Sequence, residues 1–187
     1  MLPPYITNIA QNEGEILAFL GILKSIGARS YLEIGSQFGG SLWRIGHSMP
    51  EGSRLVSVDW ETPGKGSRAS LEACGDELRG RGYDVTLIAG SSIDPAIVDQ
   101  VRKLGPFDAI FIDANHTLPF VTKDWANYGP MGKVVAFHDI AHRKPHRPGR
   151  LPIQVPAFWD ELKVGKAHRE IISSPDAKDN GIGVIFQ

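Results

Sequence analysis

Ser30-Tyr31-Leu32-Glu33-Ile34-Gly35-Ser36-Gln37-Phe38-Gly39-Gly40 decides the fold of this chain. Its first five residues read as a short buried strand, and the glycine-rich turn from Gly35 to Gly40 leads into a helix ending near Pro50. A strand that passes through a tight glycine turn into a helix opens a βα unit, and the chain repeats that unit downstream. Leu55 to Asp59 is a second strand ending in an acid, followed by a polar helix around Ala69 to Arg79. Val85 to Ala89 is a third, after which Asp94 and Pro95 form the cap and first turn of a helix reaching Leu104. Phe107 to Ile112 precedes a short helix over Pro119 to Tyr128, and Lys133 to Phe137 makes a fifth strand running into His138 and Asp139. Upstream, Asn12 followed by Glu15 has capping-box spacing, and Ile16, Leu17, Leu20 and Leu23 recur at helical intervals up to Gly27.

Five strand-then-helix units predict an α/β fold in one domain over residues 1–187, with a parallel sheet covered on both faces. Past Asp139 the texture changes to a basic, proline-containing loop from Ala141 to Pro152. A helix at Pro156 to Leu162 follows, then strand candidates at His168 to Ile172 and Gly183 to Phe186. Their short connection, with Pro175 and Gly181, suits an antiparallel pair at one sheet edge. With 42% hydrophobic and 22% charged residues among 187, the chain can bury a core, and disorder and coiled coil are excluded. A formal net charge of -1 gives no global pull toward a nucleic-acid backbone or an anionic membrane, so neither is an expected partner. Cys74 is the single cysteine, no basic-then-apolar secretory start precedes the fold, and the apolar runs are strand-sized. A cytoplasmic location is the expectation.

Open parallel sheets bind ligands at the carboxyl ends of their strands, so polar residues just past each strand are the test. Glu33 and Gly35 follow the first strand, Asp59 the second, Ser91 and Ser92 the third, Asp113 and His116 the fourth, His138 and Asp139 the fifth. Each alone has an ordinary reading as a turn or cap, but five in register point to a cleft. The first turn is E-x-G-x-x-x-G and lacks the three glycines that accommodate a dinucleotide pyrophosphate. Glu33 beside it suits a cationic group, and Asp59, twenty positions beyond Gly39, suits a ribose diol. The ligand so outlined is a nucleoside carrying positive charge.

From about Tyr31 to Asp139 the chain resembles the class I S-adenosyl-L-methionine (SAM)-dependent methyltransferases, in particular the small O-methyltransferases related to macrolide, sugar and caffeoyl-coenzyme-A enzymes. The residues that carry the resemblance are Tyr31-Leu32-Glu33-Ile34-Gly35, Val58-Asp59, Phe111-Ile112-Asp113-Ala114-Asn115-His116 and Ala136-Phe137-His138-Asp139-Ile140. Val155 to Leu162 and Gly181-Ile182-Gly183-Val184-Ile185 are similar to the group's closing helix and strand. The resemblance implies a Rossmann-like, doubly wound sheet of seven strands with the last antiparallel. It implies a cofactor site at Glu33, Gly35, Ser36, Gly39, Asp59, Trp60, Ser91, Ser92 and Asp113, with the turn under the methionine part, Asp59 on the ribose, Trp60 against the adenine face and Ser91 or Ser92 near the adenine edge. It also implies O-methylation of a small-molecule hydroxyl, sugar or secondary-metabolite-like.

Methyl transfer from a sulfonium needs a positioned acceptor and a group to take its proton. By resemblance Asp113, His116 and His138 are the catalytic candidates, His116 matching the base of some relatives. Asp113, His138 and Asp139 stand where other relatives hold Mg²⁺ or another divalent cation. The pair His138-Asp139 departs from the Asp-Asn and two-acid patterns of those relatives, so a softer ion or a metal-free base are the other readings. An iron-dependent hydroxylase-like relative and a non-catalytic SAM-binding module are the alternatives of different class. The basic stretch from His142 to Arg150 is expected over the acceptor side, where arginine forks at Arg143 and Arg147 suit an anionic acceptor. Many relatives cover the acceptor with a longer amino-terminal region than this chain has, so either a partner subunit, as in a homodimer, helps enclose the site or the acceptor is large and the cleft open.

Overall fold

The computed structural model of the protein describes residues 2–7, 11–60, 67–144, 149, 151–173 and 180–187. In chain order its elements are α1 (Pro4–Thr7), α2 (Glu13–Ser25), β1 (Ser30–Ile34), α3 (Gly40–Gly46), β2 (Arg54–Asp59), α4 (Ser67–Gly80), β3 (Asp84–Ala89), α5 (Pro95–Arg102), β4 (Phe107–Ile112), α6 (Leu118–Tyr128), β5 (Gly132–Phe137), α7 (Val155–Leu162), β6 (His168–Ile171) and β7 (Ile182–Phe186). The seven strands lie in the order β3-β2-β1-β4-β5-β7-β6. β1 to β5 pair in parallel, and β7 inserts antiparallel between β5 and β6. Strand order reverses between β1 and β4, the switch point where open α/β sheets take their ligands.

The central strands are apolar because helices cover both of their faces. Alternation along β1 sends Tyr31 to one face, against Ile16, Phe19, Leu42, Leu71 and Leu78 of α2, α3 and α4. Leu32 and Ile34 go to the other, against Val98, Val121, Tyr128, Phe158 and Trp159 of α5, α6 and α7. α4 begins two residues earlier than its sequence pattern indicated, and the four-residue α1 carries too little periodic signal to be read. Asn12 does cap α2, accepting from Gly14 N at 2.9 Å. Glu15, however, does not close a capping box. It is wholly buried, and its carboxylate accepts from Ser173 N at 3.0 Å and Gly181 N at 2.9 Å, tying α2 to the approaches of β7. Asp94 caps α5 through Ala96 N, with Pro95 in the first turn.

Backbone hydrogen bonds continue past the strand ends and set the ligand edge. Gly35 N donates to Val58 O at 2.8 Å, Asp113 N to Ile34 O at 2.8 Å and His138 N to Ile112 O at 3.2 Å, so the three residues sit side by side. Gly35 has φ 95°, and a Cβ there would lie 2.4 Å from the Asp113 carbonyl oxygen. Only glycine fits that close approach.

Candidate active site

At this edge a cavity of about 910 Å³ opens. Gly35, Ser36, Asp59, Trp60, Ser91, Ser92, Asp113, His116, His138 and Asp139 all line it, from five successive strand ends. Glu33 and Gly39 do not. Gly39, at φ 88°, is the turn from which α3 starts, packed against Cys74 of α4. Glu33 lies wholly buried beneath the floor, on the same face of β1 as Tyr31, and accepts from Tyr31 Oη at 2.6 Å and Ser41 Oγ at 2.7 Å.

Burial pushes the Glu33 carboxyl up to about 7, against the pull of its hydrogen bonds from Tyr31, Ser41 and Ser36. The fold therefore favours the protonated acid. Its contribution to stability is complete below the ordinary value near 4.5 and is lost as pH rises through about 7. We expect denaturant titrations of the wild type to lose about 3 kcal/mol between pH 5 and 8.5 relative to Glu33→Gln. Parallel curves for the two proteins would show that Glu33 is not held neutral.

Asp59 ends β2 and accepts from Gln37 N at 2.7 Å, locking the glycine turn to the second strand. Burial raises its pKa while hydrogen bonds from the Gln37 and Ser36 backbone oppose the shift. Trp60 beside it is 67% exposed, its ring uncommitted to the core. One strand further out, past the end of β3, Ser92 is buried in the cavity wall and its carbonyl accepts from Tyr128 Oη at 2.6 Å.

The far half of the cavity holds four charged side chains that close on one another. His116 Nε2 lies 3.0 Å from Asp113 Oδ1, and His116 Nδ1 lies 3.1 Å from Asp139 Oδ2. His138 Nδ1 sits 3.3 Å from Asp113 Oδ1 and 3.4 Å from Asp139 Oδ1. Burial works against charge on both rings, yet the facing carboxylates outweigh it, raising His116 to about 10 and His138 to about 9. Burial likewise opposes the Asp113 carboxylate, but the His138 charge and the hydrogen bonds from both histidines hold it well below the usual range. Asp139 sits at φ 63°, a left-handed backbone held in place by Ile140 N on Gly181 O and Ala141 N on Asn180 O.

Sequence reading missed several lining residues. Gln11 donates to Asp113 Oδ2 at 2.6 Å from the start of α2, 102 positions away, and no local pattern marks it. Asn180 enters from the approach to β7; the Asn180-Gly181 pair, both at positive φ, is the turn signal that could have found it. Leu151, Pro152 and Ile153 form an apolar wall with Phe120. They are held there by Gln154, whose N donates to His116 O at 2.7 Å while its side chain accepts from Leu118 N at 3.0 Å. Of the basic stretch, Arg147 and Arg150 lie outside the described residues, and Arg143 turns its guanidinium to the His142 carbonyl at 3.1 Å.

The donor set does not fit a metal. Each carboxylate oxygen of Asp113 and Asp139 already faces an N–H group, and among the described residues no three His, Cys, Asp or Glu side chains are arranged to hold an ion. The resemblance offered Asp113, His138 and Asp139 as ligands for a divalent cation, beside the reading of a metal-free base. In the structure the histidines pair with the acids instead of joining them around a common point.

Comparison with known proteins agrees with this architecture. A 110-residue stretch is 28% identical to the catechol O-methyltransferase of Niastella koreensis, covering 58% of this chain and 46% of that protein, so the chain spans about half the length of the curated relative it matches. The O-methyltransferase TomG of Streptomyces achromogenes, solved with SAM, superposes with a TM-score of 0.73 at 21% identity over 95% of this chain and 81% of that one. The O-methyltransferase of Bacillus cereus, solved with S-adenosylhomocysteine, gives 0.70 at 17% identity over 96% and 83%. Residues 32–140, more than half of the chain, match the model of a methyltransferase-domain family, and the chain belongs to that family.

Proposed function

We propose that this chain is a SAM-dependent methyltransferase that transfers a methyl group to a hydroxyl of a small molecule, sugar or secondary-metabolite-like, without a metal. The observation that carries the reading is one cavity joining two halves of different chemistry: a glycine turn locked to a strand-end acid, and a histidine held between two carboxylates. The first half fits the cofactor. Gly35 and Ser36 of the turn line the cavity, and Asp59 provides a carboxylate at its wall for a ribose diol. When bound, the cofactor supplies the electrophilic methyl group and the leaving group.

The chain's residues do the rest. Leu151, Pro152, Ile153 and Phe120 exclude water from the acceptor and hold its apolar part. His116, with side-chain exposure of 26% against 5% for His138, is the ring that reaches the acceptor; in its neutral form one ring nitrogen exchanges its carboxylate partner for the acceptor hydroxyl and takes that proton. In the free protein Asp113 and Asp139 fix its orientation from both nitrogens, and His138 balances the second carboxylate charge. The iron-dependent alternative asks Asp113, His138 and Asp139 to converge on an ion, which this geometry does not support. No helix among the described residues is long and apolar enough to cross a membrane, and the buried, unpaired Cys74 agrees with a cytoplasmic setting. A homodimer and an anionic acceptor belong to the same proposal, to be read from sedimentation and from a phosphorylated-sugar acceptor panel.

Calorimetric titration with S-adenosylhomocysteine tests the reading directly, and absence of binding would overturn it. With an acceptor in hand, dialysis against EDTA is expected to leave turnover within about twofold of the untreated protein. A loss restored by Mg²⁺, Mn²⁺ or Fe²⁺ would reinstate the metal.

A further inference from the structure

Glu15 is a buried acid with no part in the chemistry so far. It sits in the first turn of α2, wholly inaccessible to solvent, where an acid is kept only if its oxygens find donors. Both oxygens do, and both reach across the fold: Oε1 accepts from Ser173 N at 3.0 Å, 158 positions away, and Oε2 from Gly181 N at 2.9 Å, 166 positions away. The acid therefore pins the two ends of the connection between β6 and β7 to the start of α2.

The second of those ends reaches the cavity. Asn180 and Gly181 stand at φ 67° and 87°, and their carbonyls accept from Ala141 N at 2.9 Å and from Ile140 N at 3.3 Å. The packing is close enough that a Cβ on Gly181 would lie 2.9 Å from the Ala141 Cβ. Ile140 and Ala141 directly follow Asp139, which itself holds φ 63°. A non-glycine residue keeps a left-handed backbone only where its surroundings impose it, and the two carbonyls of the 180–181 turn do so here. Asp139 in turn places Oδ2 3.1 Å from His116 Nδ1. Without the Glu15 carboxyl, the buried Gly181 N–H loses its acceptor and the turn shifts to find another. Ile140 and Ala141 then lose their partners, and Asp139 relaxes to an unstrained backbone that carries its carboxylate off the ring.

We infer that Glu15 is a positioning residue that holds Asp139 against His116 through the turn at Asn180 and Gly181. The inference rests on the reading of His116 as the base and adds the residue, on a different element, that keeps one of its two acids in place.

The test is a pH titration of the histidine rings of the full chain by heteronuclear NMR, with the His116 signal assigned by its loss in His116→Asn. Glu15→Gln is expected to lower the His116 midpoint by about a unit or more, the effect of one facing carboxylate. In Asp139→Asn the midpoint falls likewise, and adding Glu15→Gln to it should move the midpoint no further, because the two substitutions break one chain of contacts. An unchanged midpoint in Glu15→Gln overturns the inference. So does an additive shift in the double variant, since the lost Glu15 charge would then be acting through space and not through Asp139. Cooperative thermal unfolding reports that each variant folds. If Glu15→Gln does not, Gly181→Ala decides: it keeps the acid, forces a Cβ against Ala141, and should lower the midpoint as Asp139→Asn does, while an unchanged midpoint there sinks the inference. The titration needs neither cofactor nor acceptor, so its failure leaves the methyltransferase reading in place, and absent S-adenosylhomocysteine binding leaves this result in place.

Discussion

Asp59→Ala is expected to weaken S-adenosylhomocysteine binding about 100-fold. Two hydrogen bonds from a ribose diol to an ionised carboxylate contribute on the order of 1.5 kcal/mol or more each, and 1.4 kcal/mol is tenfold in affinity. A second loss accompanies the first. Asp59 also accepts from Gln37 N at 2.7 Å, and Gln37 stands at φ 49°, a left-handed conformation that a non-glycine residue adopts only when held. The two contributions separate by design. In Asp59→Ala/Gln37→Gly the turn keeps its shape without the carboxylate, so any affinity regained measures the loop, and what stays lost measures the ribose contact. Asp59→Asn keeps one acceptor and should fall between, near tenfold. Full affinity in Asp59→Ala would remove the ribose assignment and, with it, the cofactor half of the proposed function.

How much of this was legible in the sequence depends on the range of the interactions. The five parallel strands were legible because two-sided burial forces unbroken apolar runs such as Phe107 to Ile112, and each run ends where the backbone reaches solvent. The cavity followed, since a polar residue directly past such a run has one place to go. Glu33 shows the limit of that logic. It sits inside β1 two residues after Tyr31, and period-2 alternation carries both to the buried face, so Glu33 supports the floor instead of lining it. That was readable from the register. The burial of Asp124 was readable too, because its spacing from Val121 and Tyr128 puts it on the apolar face of α6. Gln11 was not, and neither was the pairing of His116 with Asp139, because each joins segments whose meeting is set by the order of strands and not by any local pattern.

That pairing sets the pH dependence expected of turnover. In the free protein His116 holds its proton up to about 10, because Asp113 and Asp139 each hydrogen-bond one of its ring nitrogens and together outweigh the effect of burial. A base acts in its deprotonated form, so the acid limb of kcat/KM should rise about tenfold per pH unit through neutrality and flatten only well above pH 8. Asp139→Asn removes one of the two charges that favour the imidazolium, which lowers the His116 pKa and moves the limb to lower pH, by about a unit or more. The same substitution frees one ring nitrogen from its anchor, so the plateau rate should fall even as the limb shifts. His116→Asn removes the base and is expected to lower kcat by about 10² to 10⁴ with S-adenosylhomocysteine affinity unchanged, since the cofactor half of the cavity is left intact. A pH profile that is flat between 6 and 9 in the wild type, or a limb that stays in place in Asp139→Asn, would move the base away from His116. The same outcomes would exclude His138 as well, because its proton is held up to about 9 by the same two carboxylates, Asp113 and Asp139.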